Sequence, residues 1–431
     1  MTDNAAAMLA AVPKLTKKLD IGFGCIDHVL NLIIKATNKA VPEIWAAIQE
    51  CKDLSARVHH TPLDQQRMRR EAWNLRNDSG ATEEEVHFNK IITDVDTRWN
   101  STLFLIRSIL QMKAILQSLK EGRFEDQDKT DKGLKQKIPS DQTFDIIEAI
   151  IPIMEKVLLM SEMMSGDETP TLHLVIPMIY NMDSFLYSKM RAPSQTTWTR
   201  DYCKAMSTEL NRRYPQNGTL VEAYCFAHFL HPFYRGCLLY NFEDAWTNAQ
   251  EAFISQNEVT PDPDVIHVPV DEDVAPAADD EDDFFTASLR FTQNMEARPT
   301  QEGRREGGLT PLKIEIEKYL DLPRLANPKV DVLSWWKAQK CAFPLLAECA
   351  RKYHCIPASS APSERLFSKS GNLITQNRNS LNPKNVHMLL YLQEHLEKVK
   401  ITKWDFDLMP QGSDEEPEPA AGAGPTAGPS N

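Results

Sequence analysis

Apolar residues recur at steps of three and four along most of this chain, and that period predicts a predominantly helical protein. The clearest case is Phe144 to Met164, where Ile147, Ile150, Ile151, Met154, Val157, Leu158 and Met163 fall on one helical stripe. Leu172 to Met190, Tyr202 to Tyr214 and Val221 to Phe229 repeat the pattern, so residues 117–257 read as an all-helical region. Before it, Asn31 to Gln49 reads as an amphipathic helix and Leu103 to Leu116 as another. After it, Ile314-Glu315-Ile316-Glu317-Lys318-Tyr319-Leu320 alternates apolar and charged positions, the period of a half-buried strand or a docking segment. Near the C-terminus, Pro383 to Val399 carries Val386, Leu389, Leu392, Leu396 and Val399 at three- and four-residue steps, with Leu390 widening the stripe. Such a stripe has to be covered, by its own domain or by a second chain.

Two tracts lose the pattern. Glu258 to Gly308 is rich in Pro, Asp, Glu and Ala, and Gly412 to Asn431 is rich in Gly, Pro and Ala. Neither holds enough apolar surface to offset the entropy of ordering it, so they read as a linker and a tail. The chain therefore divides into residues 1–116, 117–257, 258–308, 309–405 and 406–431. Gly122 to Asp141 is polar and reads as a loop.

Composition changes this picture only in part. A hydrophobic content of 42% over 431 residues suffices for two or three domains with cores. No apolar run reaches the roughly 20 residues that cross a bilayer, so no membrane partner is expected. Met1-Thr2-Asp3-Asn4 lacks the basic and apolar regions of a signal peptide. Eight cysteines without paired spacing point to reduced thiols. The net charge of −13 argues against non-specific adhesion to nucleic acid by the whole chain. The acid is concentrated, however, at Asp271–Asp273 and Asp279–Asp283, which leaves room for a local basic surface. Arg67, Arg69, Arg70 and Arg76 surround Trp73 and read first as a solvated helix face, second as a nucleic-acid contact.

The candidate chemistry sits in three short stretches. In Ser359-Ser360-Ala361-Pro362-Ser363-Glu364-Arg365-Leu366-Phe367-Ser368, Ser360 can cap a helix and Pro362 is tolerated in its first turn. Glu364 then falls on that first turn, either as a favourable charge near the helix dipole or as a metal ligand. In Thr97-Arg98-Trp99-Asn100-Ser101-Thr102, Trp99 is either a core aromatic or a platform for a base, and Arg98 can meet phosphate. Cys25 and His28 are three apart and could face one way on a helix, but without a second pair nearby a buried structural pair is preferred over zinc.

Taken together, Trp335-Trp336, Pro357 to Ser368, Asn377-Arg378-Asn379-Ser380-Leu381 and Val386 to Leu392 resemble the C-terminal region of hAT-superfamily transposases, most of all the transposase-derived zinc-finger BED proteins. The segment from Cys25 to Leu32 is similar to the family's Cys-x-x-His-x-Leu-Asn-Leu, and Arg98 to Ser101 to its Arg-Trp-Asn-Ser. His228 to Tyr234 resembles the family's Leu-Asp-Pro-Arg-Phe-Lys, with His231 in place of the acid.

The resemblance implies an α+β, predominantly helical chain: a truncated RNase H-like fold with an all-α insertion and a C-terminal helical dimerisation region. It implies that Asp3 and Glu364 occupy two acidic catalytic positions and that Arg98 and Trp99 meet DNA. It implies dimerisation through Trp335, Trp336, Leu366, Phe367, Val386, Leu389, Leu390, Leu392 and Leu396. A two-metal site takes three carboxylates, and the family's first acid precedes the motif that holds Asp3. The chain is therefore expected to be no enzyme and to need no cofactor, Mg2+ entering only with an intact parent enzyme. The partners implied are a second copy and, in a weaker reading, DNA, in the nucleus. The competing reading is a truncated part of an active or DNA-binding hAT transposase.

Overall fold

The computed structural model describes residues 24–79, 86, 88–95, 99–122, 129–214, 222–241, 245–257, 310–323, 325, 327, 330–373 and 382–399, without the side chains of 78–79, 129–131, 240–241, 245–248, 372–373, 383 and 393–399. The residues up to Pro362 form one compact unit and those from Ser363 a second. Among the described residues the regular structure is helical, and no β-strand occurs. Asp3, one of the two acidic positions the resemblance implies, lies outside the described residues.

Helix α1 (Ile26–Ala40) buries Ile26, Leu30, Ile33, Ile34 and Thr37, a stripe at three- and four-residue steps. It stops at Val41, whose extended backbone precedes Pro42 at the start of α2 (Pro42–His60). The single helix expected from Asn31 to Gln49 is thus two. A residue before proline is pushed out of the helical region, and proline fits only the first turn of the helix that follows. Helix α3 (Pro62–Ser79) comes next, then α4 (Trp99–Gln111) and α5 (Lys113–Glu121), which ends on Gly122 in the left-handed conformation at φ 72°. The stretch read as a loop after Gly122 contains a short helix, α6 (Lys129–Lys135).

Helix α7 (Asp141–Met164) is the axis of the first unit. Ser140 caps it by accepting the Thr143 N–H at 3.2 Å. It packs against α1, α2, α4, α8 (Val175–Arg191) and α9 (Thr197–Arg213). Partners on several sides explain why its apolar arc is wider than one stripe: Ile146 and Ile153 are buried along with Ile147, Ile150 and Met154.

A second cluster gathers around α10 (Glu222–Phe229) and α11 (Ala245–Asn257). Phe253 meets Phe226 and Phe229 edge-on, and these two in turn meet Tyr353 and Tyr319 edge-on. These tyrosines come from α12 (Pro311–Asp321) and α14 (Pro344–His354), with α13 (Val332–Gln339) between them. The segment whose alternation suggested a strand is therefore helix α12. It buries Leu312, Glu315, Ile316 and Tyr319, a helical spacing that includes one inward carboxylate. Glu315 accepts the backbone N–H groups of Leu345 (3.2 Å) and Leu346 (2.9 Å), so it caps α14 from a neighbouring helix.

The second unit holds most of α15 (Ala361–Leu373) and α16 (Pro383–Val399).

Candidate functional site

The Ser359-Ser360 stretch is tied down on the entry to α1. Ile26 N–H donates to the Ala358 carbonyl at 3.2 Å, and Ala358 N–H to the Thr171 hydroxyl at 2.8 Å. Ser360 N–H meets the Cys25 sulfur at 3.3 Å, and that sulfur lies 3.5 Å from the Ser359 hydroxyl. Asp27 gathers three hydroxyls: Ser161 of α7 and Ser165 just past its end, each at 2.6 Å, and Ser359. The Ser359 oxygen also accepts the Ala361 N–H at 3.0 Å, at the first residue of α15. The cap expected of Ser360 thus involves Ser359. Cys25 is buried in this knot, and among the described residues no three metal-ligating side chains are arranged to hold a metal ion.

Beyond the knot, Glu364 lies exposed on the first turn of α15. Leu366 and Phe367 follow, Phe367 at 72% exposure. On α16, Val386 is covered and Leu390 half-buried, whereas Leu389 and Leu392 are 43% and 45% exposed. Met388 and Tyr391, which lie off the three- and four-residue stripe, are exposed as well, at 62% and 55%. The side chain of Leu396 lies outside the described residues.

Two other expected dimerisation residues, Trp335 and Trp336, lie in the first unit. Trp336 is buried, and its indole N–H donates to the Leu230 carbonyl at 2.8 Å. Trp335 is half-buried, edge-on to Trp336 and 5.9 Å from Tyr319. Both pack within the first unit rather than on an open surface. Asp331 starts their helix by accepting the Leu333 and Ser334 N–H groups.

Trp99, the candidate base platform, is only 6% exposed and belongs to the core of the first unit. Arg98 lies outside the described residues. The two residues after Asn100 have a structural role: Ser101 and Thr102 donate to Asp94 at 2.6 and 2.9 Å, and Lys52 pairs with the same carboxylate at 2.7 Å. Partial burial would raise the Asp94 carboxyl, but the bonds from Lys52, Ser101 and Thr102 and the Lys52 charge outweigh it and hold the group below the usual range.

One constellation has no counterpart in the sequence reading. His173, His228, His231 and His354 are all buried. The His173 ring stacks on His231 at 4.4 Å and meets His354 edge-on at 5.6 Å, while His228 and His231 flank Tyr234. Burial drives all four imidazoles towards the neutral form, His228 to about 3 and His354 to about 4. The backbones of His173 and Leu230 partly offset this at His228 and His354, yet neither ring has a nitrogen in a well-formed hydrogen bond.

Residues 315–396 match the hAT family C-terminal dimerisation region. The chain is similar to the hAT transposases. A protein of Zea mays named a putative AC transposase is 21% identical over 385 residues, 85% of this chain and 43% of its own length. The zinc finger BED domain-containing protein 4 of Homo sapiens is 22% identical over 402 residues, 89% of this chain and 29% of its own. The Arabidopsis thaliana zinc finger BED domain-containing protein DAYSLEEPER is 36% identical over 88 residues, 20% of this chain and 12% of its own. The chain thus spans less than half the length of these proteins. The matched region runs from α12 to α16, its residues up to Pro362 falling in the first unit and the rest in the second.

Proposed function

We propose that this chain is a transposase-derived interaction protein that dimerises through α15 and α16, acts in nuclear DNA-associated or transcriptional regulation, and does not cleave DNA. One observation carries the self-association: within residues 315–396, the second unit exposes Leu366 and Phe367 on α15 and Met388, Leu389 and Leu392 on α16. Large apolar side chains exposed at this density on two helices mark an interface. The lack of cleavage is supported by the exposure of Glu364 on the first turn of α15, where no group of three metal-ligating side chains suited to a metal ion occurs among the described residues.

The test is light scattering of the full chain, native and with Leu389→Glu and Leu392→Glu combined. Full burial of a leucine side chain is worth about 2 kcal/mol. With 43% and 45% of these side chains left to bury, the pair supplies about 1.8 kcal/mol per protomer. A two-fold interface counts this twice, so the double change weakens the dimer by about 3.5 kcal/mol, roughly 300-fold, before any charge repulsion. Both positions are half-exposed, so circular dichroism should remain native. A monomeric native chain, or an unweakened variant dimer, removes the proposal.

The alignment with the maize protein over 85% of this chain favours one second reading, that the chain is part of an active hAT transposase with a two-metal site. Strand breaks in supercoiled DNA with Mg2+, abolished by Glu364→Gln, would replace the first reading with this one.

A further inference from the structure

Helix α3 separates its charges by sign. Of its described side chains, the two carboxylates face inward. Asp64 is fully buried and takes Arg57 at 2.7 Å and Arg67 at 3.1 Å, while Glu71 is buried and accepts the Ser118 hydroxyl. The outward side carries Gln66, Arg69, Arg70, Trp73 and Asn77, all exposed. Arg69 and Arg70 precede Trp73 by four and three residues, so their guanidinium groups lie one turn from the indole on the same face.

Trp73 is the most exposed tryptophan among the described residues, at 65%. An indole is costly to leave in water without a partner. The neighbouring surface continues the chemistry. Arg69 lies over the Phe88 ring at 5.1 Å, and with exposed Lys90 these residues border a hollow of about 60 Å³ that Met68 floors. Within a chain of net charge −13, this is a cationic face with aromatic rings set into it.

We propose that the outward face of α3, Arg69, Arg70 and Trp73 with Phe88 and Lys90 beside it, is a contact surface for single-stranded DNA. The cations match a phosphate backbone. The open indole selects single strands, because it can stack only on a base whose face is not already covered by pairing and stacking in a duplex. This inference rests on the DNA-associated part of the proposed function and gives it a location distinct from buried Trp99.

The test is fluorescence anisotropy of a labelled 20-nucleotide oligo-dT with the full chain at 50 and 200 mM salt. Trp73→Ala should weaken binding about tenfold or more, the scale of one lost stacking contact. Arg69→Ala with Arg70→Ala should lower the slope of log affinity against log salt by about 1.4, two phosphates at ~0.7 each. Arg191→Ala, a like change on α8, should leave both unchanged. No binding at 50 mM salt, equal affinity for a duplex of the same length, or native affinity in Trp73→Ala overturns the inference. Light scattering of the same samples separates the two proposals: a dimer that does not bind refutes this surface alone, and a monomer that binds refutes the self-association alone.

Discussion

Acid should destabilise this protein through its buried histidines, in a pH window set by their position. In an unfolded chain a histidine titrates near 6.5. Burial holds His228 at about 3 and His354 at about 4 in the native state. Above pH 6.5 both states are neutral and nothing is lost. As pH falls below that, the unfolded chain takes up protons that the native chain does not, so stability drops by about 1.36 kcal/mol per pH unit per histidine. At pH 5 that is 1.5 units, or about 2 kcal/mol each and about 4 kcal/mol for the pair. His173 and His231 are displaced in the same direction and add to it. The loss is comparable with the ~5–15 kcal/mol that holds a typical domain folded. Urea unfolding followed by circular dichroism at pH 7.5, 6.0 and 5.0 measures it. Asp183, whose carboxyl burial raises, acts in the opposite sense, so the variant His228→Asn is the sharper instrument. Whatever it costs at pH 7.5, its loss between pH 7.5 and 5.0 should be about 2 kcal/mol smaller than that of the native chain. Equal losses in the two proteins, or a native stability that does not change over this window, would refute the reasoning.

Two further outcomes follow from the link between α10 and α12. Arg235 is buried with its backbone at φ 44°, and its guanidinium donates to the carbonyls of Tyr319 (3.2 Å), Leu320 (3.4 Å) and Leu322 (2.5 Å) at the end of α12. Arg235→Met keeps the stem but strands those carbonyls, and should cost about 2–3 kcal/mol in urea unfolding at pH 7.5; a change under 0.5 kcal/mol would mean that water serves the carbonyls equally well. Residues 310–405 expressed alone would expose Tyr319, Trp336, Leu346 and Tyr353, all buried in the whole chain. This fragment should show no cooperative thermal transition, and a monodisperse fragment that melts cooperatively would show that the region is autonomous.

The helices were legible because their apolar spacing survives any tertiary arrangement: α7, α8 and α9 lie where the period puts them. The failures have local causes. Ile314 to Leu320 alternates because Glu315 is apolar in placement though not in chemistry: it points inward to cap α14, a partner 30 residues away. Trp335 and Trp336 are indistinguishable as neighbours in sequence, yet about 100° of helical rotation puts only the second into the core. The histidine cluster draws on a turn after α7, the end of α10, the bend after it and the end of α14. No spacing connects those four positions. The knot at Asp27 is hidden for the same reason, since its serines lie 134, 138 and 332 residues further on. One signal was available and went unused: Met388 and Tyr391 make α16 apolar around more of its circumference than one stripe requires.

The block matched as a dimerisation region thus performs two tasks here. Up to Pro362 its side chains complete the core of the first unit: Tyr319 donates to the Phe229 carbonyl at 3.2 Å, and Trp336 to that of Leu230. From Ser363 onward it presents apolar side chains at the surface. Removing the whole block would therefore strip the aromatic cluster around α10 as well as the exposed helices, and loss of association after such a deletion would report unfolding as readily as a lost interface. Point changes confined to Leu366, Phe367, Met388, Leu389, Tyr391 and Leu392 touch side chains that are already exposed to water. They perturb association while leaving the indole, tyrosine and guanidinium contacts of the first unit in place, so only they can assign self-association to α15 and α16.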